Sequence, residues 1–498
     1  MLPNNNATIS TPSPPPVVVV LGCTATGKSK LAIDLAKQFG GEIISADSMQ
    51  VYEGLDILTN KESEEEMQGV PHHMINIVNR LEVFDIHKFR NLALPLVEEI
   101  LGKGKIPFIV GGTNYYIESL LWKLLIEKDS KEDNDLNSVE TEAKRQKIDS
   151  SFIINTTPIL TFMKEREGRF TEADLIEKWT NAEIRQALHE VDPARALKFH
   201  PNDRRKIIRS LQIFFRTGKR HSELIEGQWV LSSDSENECE QGEDSSGNTI
   251  PSSLTKKLGG PLRFPNSICL WIQADRTILI KRIEDRVDKM VERGLREELD
   301  TYVDEMSKEN RKWDFQEGQL QSIGVKEFQA YIQLLPEERD SDIGKKCFEE
   351  GLERLKIVTR QYAKRQVQWI SQRFLKSYRR QLPPVYGLNG NETDDKSWND
   401  KVTLPAIQIV DAHINQNLHM SLHMQEKLLP VISDEEGDLI SRTCEVCGRN
   451  LQGSLQWREH MKSAKHWKMV KRKKLELEKE QRSVNSLEEK VIGALENV

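Results

Sequence analysis

The run Gly22-Cys23-Thr24-Ala25-Thr26-Gly27-Lys28-Ser29 constrains what this chain can fold into more than any other stretch. Val17-Val18-Val19-Val20-Leu21 precedes it, an apolar β-branched run without alternation, as a strand buried on both faces requires. After it, Leu31, Leu35 and Phe39 recur at helical spacing. A strand, a glycine-rich turn and a helix in that order make a phosphate cradle, in which backbone N–H groups curl around an anion at the helix N-terminus. Lys28 adds a point charge and Ser29 can hold Mg2+; Gly22, Thr24, Ala25, Thr26 and Gly27 complete the loop. Further strands are predicted at Glu42–Ser45, Ile106–Val110 and Ile268–Gln273, with helical patterns between them. The fold class is therefore α/β: a doubly wound parallel sheet of the P-loop NTPase-like kind.

A cradle names phosphate, not a reaction. Nucleotide hydrolases carry an Asp for Mg2+ at the end of a hydrophobic strand. Here the strand at 106–110 ends in Gly111-Gly112-Thr113, and the acid comes after the strand at 42–45 instead, in Asp47-Ser48-Met49-Gln50-Val51-Tyr52. That strand end lies near the same crevice as the P-loop. Asp47 can act there on a second substrate, or it can merely cap the next helix. Two enzyme classes fit: a small-molecule kinase, and a transferase acting on a diphosphate.

The 498 residues leave room for a large core and smaller modules. The reading gives a tail at 1–16, a first core part at 17–128, and an insertion at 129–200 with an acidic linker and helices. It continues with a core return at 201–384 holding an acidic loop at 232–260, a linker at 385–440, a small module at 441–468 and a charged helical tail at 469–498. The net charge of −7 does not exclude nucleic acid, because the charge is unevenly spread. Residues 232–244 carry six acids and no base, whereas 354–380 carry nine Lys/Arg and no acid. That basic stretch interleaves Arg360, Lys364, Arg365 and Arg373 with Tyr362, Trp369 and Phe374, a mix that suits RNA or an amphipathic core helix. Arg204 and Arg205 are further phosphate candidates.

Cys444-x2-Cys447-x12-His460-x5-His466 has the spacing of a tetrahedral Zn2+ site. Its wide His–His gap resembles matrin-type fingers, and Lys462, Lys465, Lys468 and Lys471 flank it. His413, His419 and His423 sit in a loop-like stretch without cysteine and read as non-ligands. The scattered remaining cysteines suit a reducing compartment. No apolar run approaches the roughly 20 residues of a membrane span, and the first 16 residues lack Lys and Arg, so no leader is expected. A cytoplasmic protein is expected, with nuclear or mitochondrial forms open.

Taken in series, the motifs resemble the tRNA dimethylallyltransferase family in its eukaryotic form. They are the P-loop, Asp47–Tyr52, Pro71-His72-His73, Gly111-Gly112-Thr113-Asn114-Tyr115-Tyr116 and His200-Pro201-Asn202-Asp203-Arg204-Arg205. Arg286-Val287-Asp288, Ser322-Ile323-Gly324 and Thr359-Arg360-Gln361-Tyr362-Ala363-Lys364-Arg365-Gln366 complete the order. Cys23 and Val325 stand where many members have proline and an aromatic residue. The resemblance implies transfer of a dimethylallyl group from its diphosphate to the exocyclic amine of the adenosine 3′-adjacent to the anticodon, by a monomer. It assigns Asp47 as the base, Thr24 to the diphosphate or the amine, and Arg286 to the departing phosphates. It implies tRNA contacts from the 129–200 insertion, from Asp47, Ser48, Met49, Gln50 and Thr113, and from Arg204, Arg205, Arg360, Lys364 and Arg365. Two alternatives stay open: an adenylate isopentenyltransferase, and a catalytically dead zinc-finger RNA-binding protein.

Overall fold

In the computed structural model every residue of β1 (Val17–Leu21) is buried, and its place in the sheet explains why. Val17, Val19 and Leu21 join one apolar cluster, while Val18 and Val20 join another on the opposite face. The structure describes residues 14–123, 157–170, 174–175, 178–199, 203–224, 261–308, 315, 318–375, 381–392, 394–415, 427–428 and 441–475. The start of the insertion expected at 129–200, the acidic loop at 232–260 and most of both terminal tails lie outside them, as do His419 and His423.

The first part of the core runs β1, α1 (Lys28–Phe39), β2 (Glu42–Ser45), β3 (His72–His73), α2 (Ile86–Gly102), β4 (Pro107–Val110) and α3 (Asn114–Leu121). A separate helical body comes next, with α4 (Pro158–Glu165), α5 (Asn181–Val191), α6 (Pro193–Lys198) and α7 (Arg204–Thr217). The core then resumes with β5 (Ser267–Gln273), α8 (Arg276–Glu292), α9 (Leu295–Lys308), α10 (Asp342–Ile370), β6 (Val385–Asn389), α11 (Asp395–Trp398), α12 (Leu404–Ile414) and β7 (Lys427–Leu428). Last come β8 (Ser441–Thr443), β9 (Asn450–Gln452) and α13 (Gly453–Lys462).

The main sheet has the order β3-β2-β4-β1-β5-β6-β7. All its pairings are parallel except β6 with β7. In register, Val19 faces Ile109 of β4 and Cys269 of β5. Phe89, Ala93 and Val97 of α2 cover one face with Ile117 and Leu120 of α3. Leu31 and Leu35 of α1 cover the other, together with Trp398, Val402, Ile409 and Val410.

That last group corrects the linker expected at 385–440. Val385–Asn389 adds a strand to β5, and α12 buries Ala406, Ile409 and Val410 against the sheet. The polar average of the region hides apolar residues at helical spacing within it. His413 accordingly lies in α12, where Nε2 pairs with the Tyr386 hydroxyl at 3.0 Å. A second boundary also moves. Ile207, Ile208, Leu211 and Phe214 of α7 pack with Ile159, Met163, Ile184 and Leu188, so the inserted body extends past residue 200 to at least Thr217. Its buried Asp192 is satisfied by Ser222, whose N–H and hydroxyl each donate at 2.8 Å. A third cluster joins Leu55 and Leu58 to Val287, Met290, Leu299, Val325, Phe328 and Leu355, fixing α8 and α10 beside the strand ends.

Candidate active site

At the carboxyl ends of β1, β2 and β4 lies a cavity of about 840 Å3, a size typical of small-molecule sites. Thr24, Ala25, Gly27, Lys28, Ser29, Asp47, Ser48, Met49, Gln50 and Arg286, all singled out in the sequence, line it. Gly22, Thr26 and Thr113 do not. Thr26 is buried and donates its hydroxyl to the Cys23 carbonyl at 2.8 Å, so it shapes the loop from within.

The loop end is cationic. Lys28 Nζ donates to the Cys23 carbonyl at 2.8 Å. Burial pulls the Lys28 pKa down, opposed by Cys23, Asp47 and Glu62. The Arg286 guanidinium is also held below its ordinary range by burial, with Asp47 opposing, and its Nε has no partner among the described residues. Two half-buried cations facing one cavity, with Asp47 as the acid acting on both, gain from an entering polyanion. Gly27, the N-cap of α1, has φ of 86° and no side-chain cap, leaving the first-turn N–H groups of α1 for a ligand.

A second wall is a hydrogen-bonded brace. No helix follows Asp47 for it to cap: residues 48–51 form a turn, which Asp47 Oδ1 braces by accepting the Met49 N–H at 2.9 Å while the residue lines the cavity. A Cβ on Gly112 would come within 3.1 Å of Asp47 Oδ2, 3.2 Å of the Tyr362 hydroxyl and 2.8 Å of Gln366 Nε2. Only glycine permits that approach. Tyr362 and Gln366 both donate to the Gly112 carbonyl, at 2.9 and 2.8 Å. Gln366 then accepts the Thr24 N–H at 2.9 Å, tying the P-loop to the end of β4. Burial and the Asp47 charge push the Tyr362 phenol up, keeping it a donor. Thr359, Tyr362 and Gln366 share one face of α10 by helical spacing and all line the cavity. Sequence reasoning quoted this motif but gave Thr359 and Gln366 no role; their common spacing was the available signal.

Other anticipated contacts are occupied. Gln50 takes the Ser45 hydroxyl at 2.9 Å and donates to the Asn60 carbonyl at 3.0 Å. Thr113 Oγ1 accepts the Ser48 N–H at 3.0 Å, bracing two loops. Arg360 is paired with Glu284, and Arg373 with buried Glu118 at 2.7 Å. Lys364 and Arg365 are exposed on α10 and do not line the cavity. In the inserted body Arg204 donates to Asn181 Oδ1 at 2.7 Å, while Arg205 is exposed.

Cys444, Cys447, His460 and His466 come together with their ligand atoms within 4.8 Å of one another. Tetrahedral zinc with bonds of about 2.0–2.3 Å separates its ligand atoms by roughly 3.3–3.8 Å. The Cys444 Sγ, Cys447 Sγ and His460 Nε2 atoms lie 3.6, 3.4 and 3.2 Å from His466 Nδ1, so the set fits that ion. Among the described residues no helix is long and apolar enough to cross a membrane.

Residues 50–373 match the family model described as IPP transferase, residues 15–81 that of isopentenyl transferase, and residues 442–466 a zinc-finger of C2H2 type. The mouse tRNA dimethylallyltransferase is 38% identical over 93% of this chain and 88% of its own length. The human one is 37% identical over 92% and 86%. A crystal structure of a eukaryotic dimethylallyltransferase acting on tRNA matches with a TM-score of 0.62 at 28% identity, covering 94% of this chain and all of that one. With the P-loop, Asp47 and Arg286 lining one cavity, the chain belongs to the tRNA dimethylallyltransferase family.

Proposed function

We propose that this enzyme transfers the dimethylallyl group of dimethylallyl diphosphate to the N6 amine of the adenosine 3′-adjacent to the anticodon of tRNA. The observation that carries this reading is the division of one cavity between half-buried Lys28 and Arg286 and the Asp47–Gly112–Tyr362–Gln366 wall. The C1–O bond to the diphosphate breaks as the C1–N6 bond forms, and the amine proton passes to Asp47. Charge grows on the leaving diphosphate, where Lys28, Arg286 and the loop N–H groups neutralise it. Ser29, lining the cavity at the start of α1, would hold Mg2+, which when bound adds positive charge at the same oxygens. The N–H bond to Gln366 fixes the Thr24 backbone, and the Thr24 hydroxyl is assigned to the diphosphate or the reacting amine. The target base must leave the anticodon stack, which single-stranded loops allow at modest cost. Exposed Lys364, Arg365 and Arg205 are assigned to RNA phosphates, and the zinc-bound finger to RNA affinity.

The test offers labelled dimethylallyl diphosphate with an anticodon stem-loop and free AMP in parallel. Label in the RNA alone is expected. Label in AMP alone would make the enzyme an adenylate isopentenyltransferase, and label in neither would leave an RNA-binding protein with an inert cradle.

A further inference from the structure

The segment between β6 and α12 begins beyond residue 373, where the match to the IPP transferase model ends. It touches two parts of the active site from outside the cavity. On one side the Trp398 ring lies flush on the P-loop, because a Cβ on Gly27 would come within 2.4 Å of its Cη2. Trp398 is 5% exposed. Lys30, in the first turn of α1, lies over the ring at 5.4 Å and pairs with Asp395 at 2.6 Å. A Cβ on Gly390 would sit 3.7 Å from the Thr26 carbonyl.

On the other side the same segment is gripped by α8. Arg282 donates to the carbonyls of Gly390, Asn391 and Glu392 at 2.7, 2.8 and 3.1 Å. Asn391 Oδ1 accepts the Asp275 N–H at 2.8 Å, and its Nδ2 returns a bond to the Asp275 carboxylate at 3.1 Å. Arg282 precedes Arg286 by one helical turn. The segment therefore bridges the loop that cradles the diphosphate and the helix that presents Arg286. Arg282 itself lines the cavity, while its guanidinium donates to this segment.

We propose that residues 390–392 and 394–398 brace the P-loop relative to α8, and that Trp398 is a positioning residue for the diphosphate. This rests on the diphosphate reading of the cavity. Gly27 holds its left-handed turn without a side-chain cap, and Trp398 backs that turn on the side away from the ligand. Without the ring the loop N–H groups lose their register on the phosphates. The loss is felt most in the transition state, where positioning counts.

The test measures steady-state kinetics of Trp398→Ala and Trp398→Phe, varying dimethylallyl diphosphate and stem-loop RNA separately. For Trp398→Ala, kcat/KM for the diphosphate should fall on the order of tenfold to a hundredfold, with the Kd for RNA unchanged. Trp398→Phe, which restores a ring against Gly27, should recover most of that loss. If Trp398→Ala does not fold, Trp398→Leu takes its place, with the same split expected. A variant that melts lower yet keeps wild-type kinetics toward the diphosphate would overturn the brace and leave Trp398 a core residue. Equal losses toward diphosphate and RNA, with no recovery in Trp398→Phe, would overturn it as well. Wild-type enzyme that transfers nothing would instead sink the diphosphate reading of the cavity, so the two failures are distinguishable.

Discussion

At the loop end of the cavity the working groups are charges, Lys28 and Arg286, half-buried and with pKa values lowered by burial. At the Asp47 wall they are hydrogen bonds, with Tyr362 and Gln366 donating to the Gly112 carbonyl and Asp47 packed beside that glycine. The difference stems from what each end must accommodate. A departing diphosphate gains negative charge, which cations stabilise best where water is excluded. An adenine amine is neutral until it is alkylated, so its end needs direction and one proton acceptor rather than field strength.

Removing the acceptor should have the largest effect. Asp47→Ala is expected to lower kcat by about 10²–10⁴, the range for a positioned general base, with RNA affinity retained. Asp47→Asn keeps an oxygen for the Met49 N–H and should be nearly as poor. If Asp47→Asn were active, the carboxylate would be an orienting group and the two ends would differ less than argued. Next is Arg286→Ala, expected to cost roughly 10²–10³ in turnover, as for loss of one donor to a developing anion. That loss should appear toward the diphosphate and not toward RNA. An equal loss toward both substrates would show that the charge also steers RNA and would erase the division.

Gln366 tests the join between the ends, since it bonds both Thr24 and Gly112. Gln366→Leu should lower kcat about tenfold through misplacement of reacting groups, and should move the KM values for both substrates. An effect confined to one substrate would mean that the ends are built independently.

The same contrast governs what could be read from the sequence. The loop end is local: strand, glycine turn, Lys28 and Ser29 are contiguous, so the cradle was legible along with the parallel sheet around it. The Asp47 wall is assembled across distance. Thr24 and Gln366 are 342 residues apart, and the helical spacing of Thr359, Tyr362 and Gln366 marks a face without saying what it faces. Gln50 and Thr113 illustrate the converse, polar residues beside the site whose hydrogen bonds are spent within the fold. Trp398 was hidden for another reason. Averaging over 385–440 dilutes the apolar positions that close the second face of the sheet, so the segment reads as a linker.

The smallest effect should come from the zinc finger. Cys444 and Cys447 lie among ligand atoms spaced for zinc, in a compact unit separate from the one that holds the cavity. Around them Lys462, Lys465, Lys468 and Lys471 are exposed, and Trp467 is 61% exposed. Such a surface suits RNA phosphates and leaves the chemistry untouched. Cys444→Ser with Cys447→Ser, or chelation of the metal, should therefore raise the Kd for RNA about threefold to thirtyfold as a few phosphate contacts are lost. The salt dependence of binding should become shallower, while kcat at saturating RNA stays within about twofold. Binding titrations at two or more salt concentrations decide it. An unchanged salt slope would remove the finger from the RNA interface, and a fall in kcat at saturation would mean that the finger helps place the base as well as hold the strand.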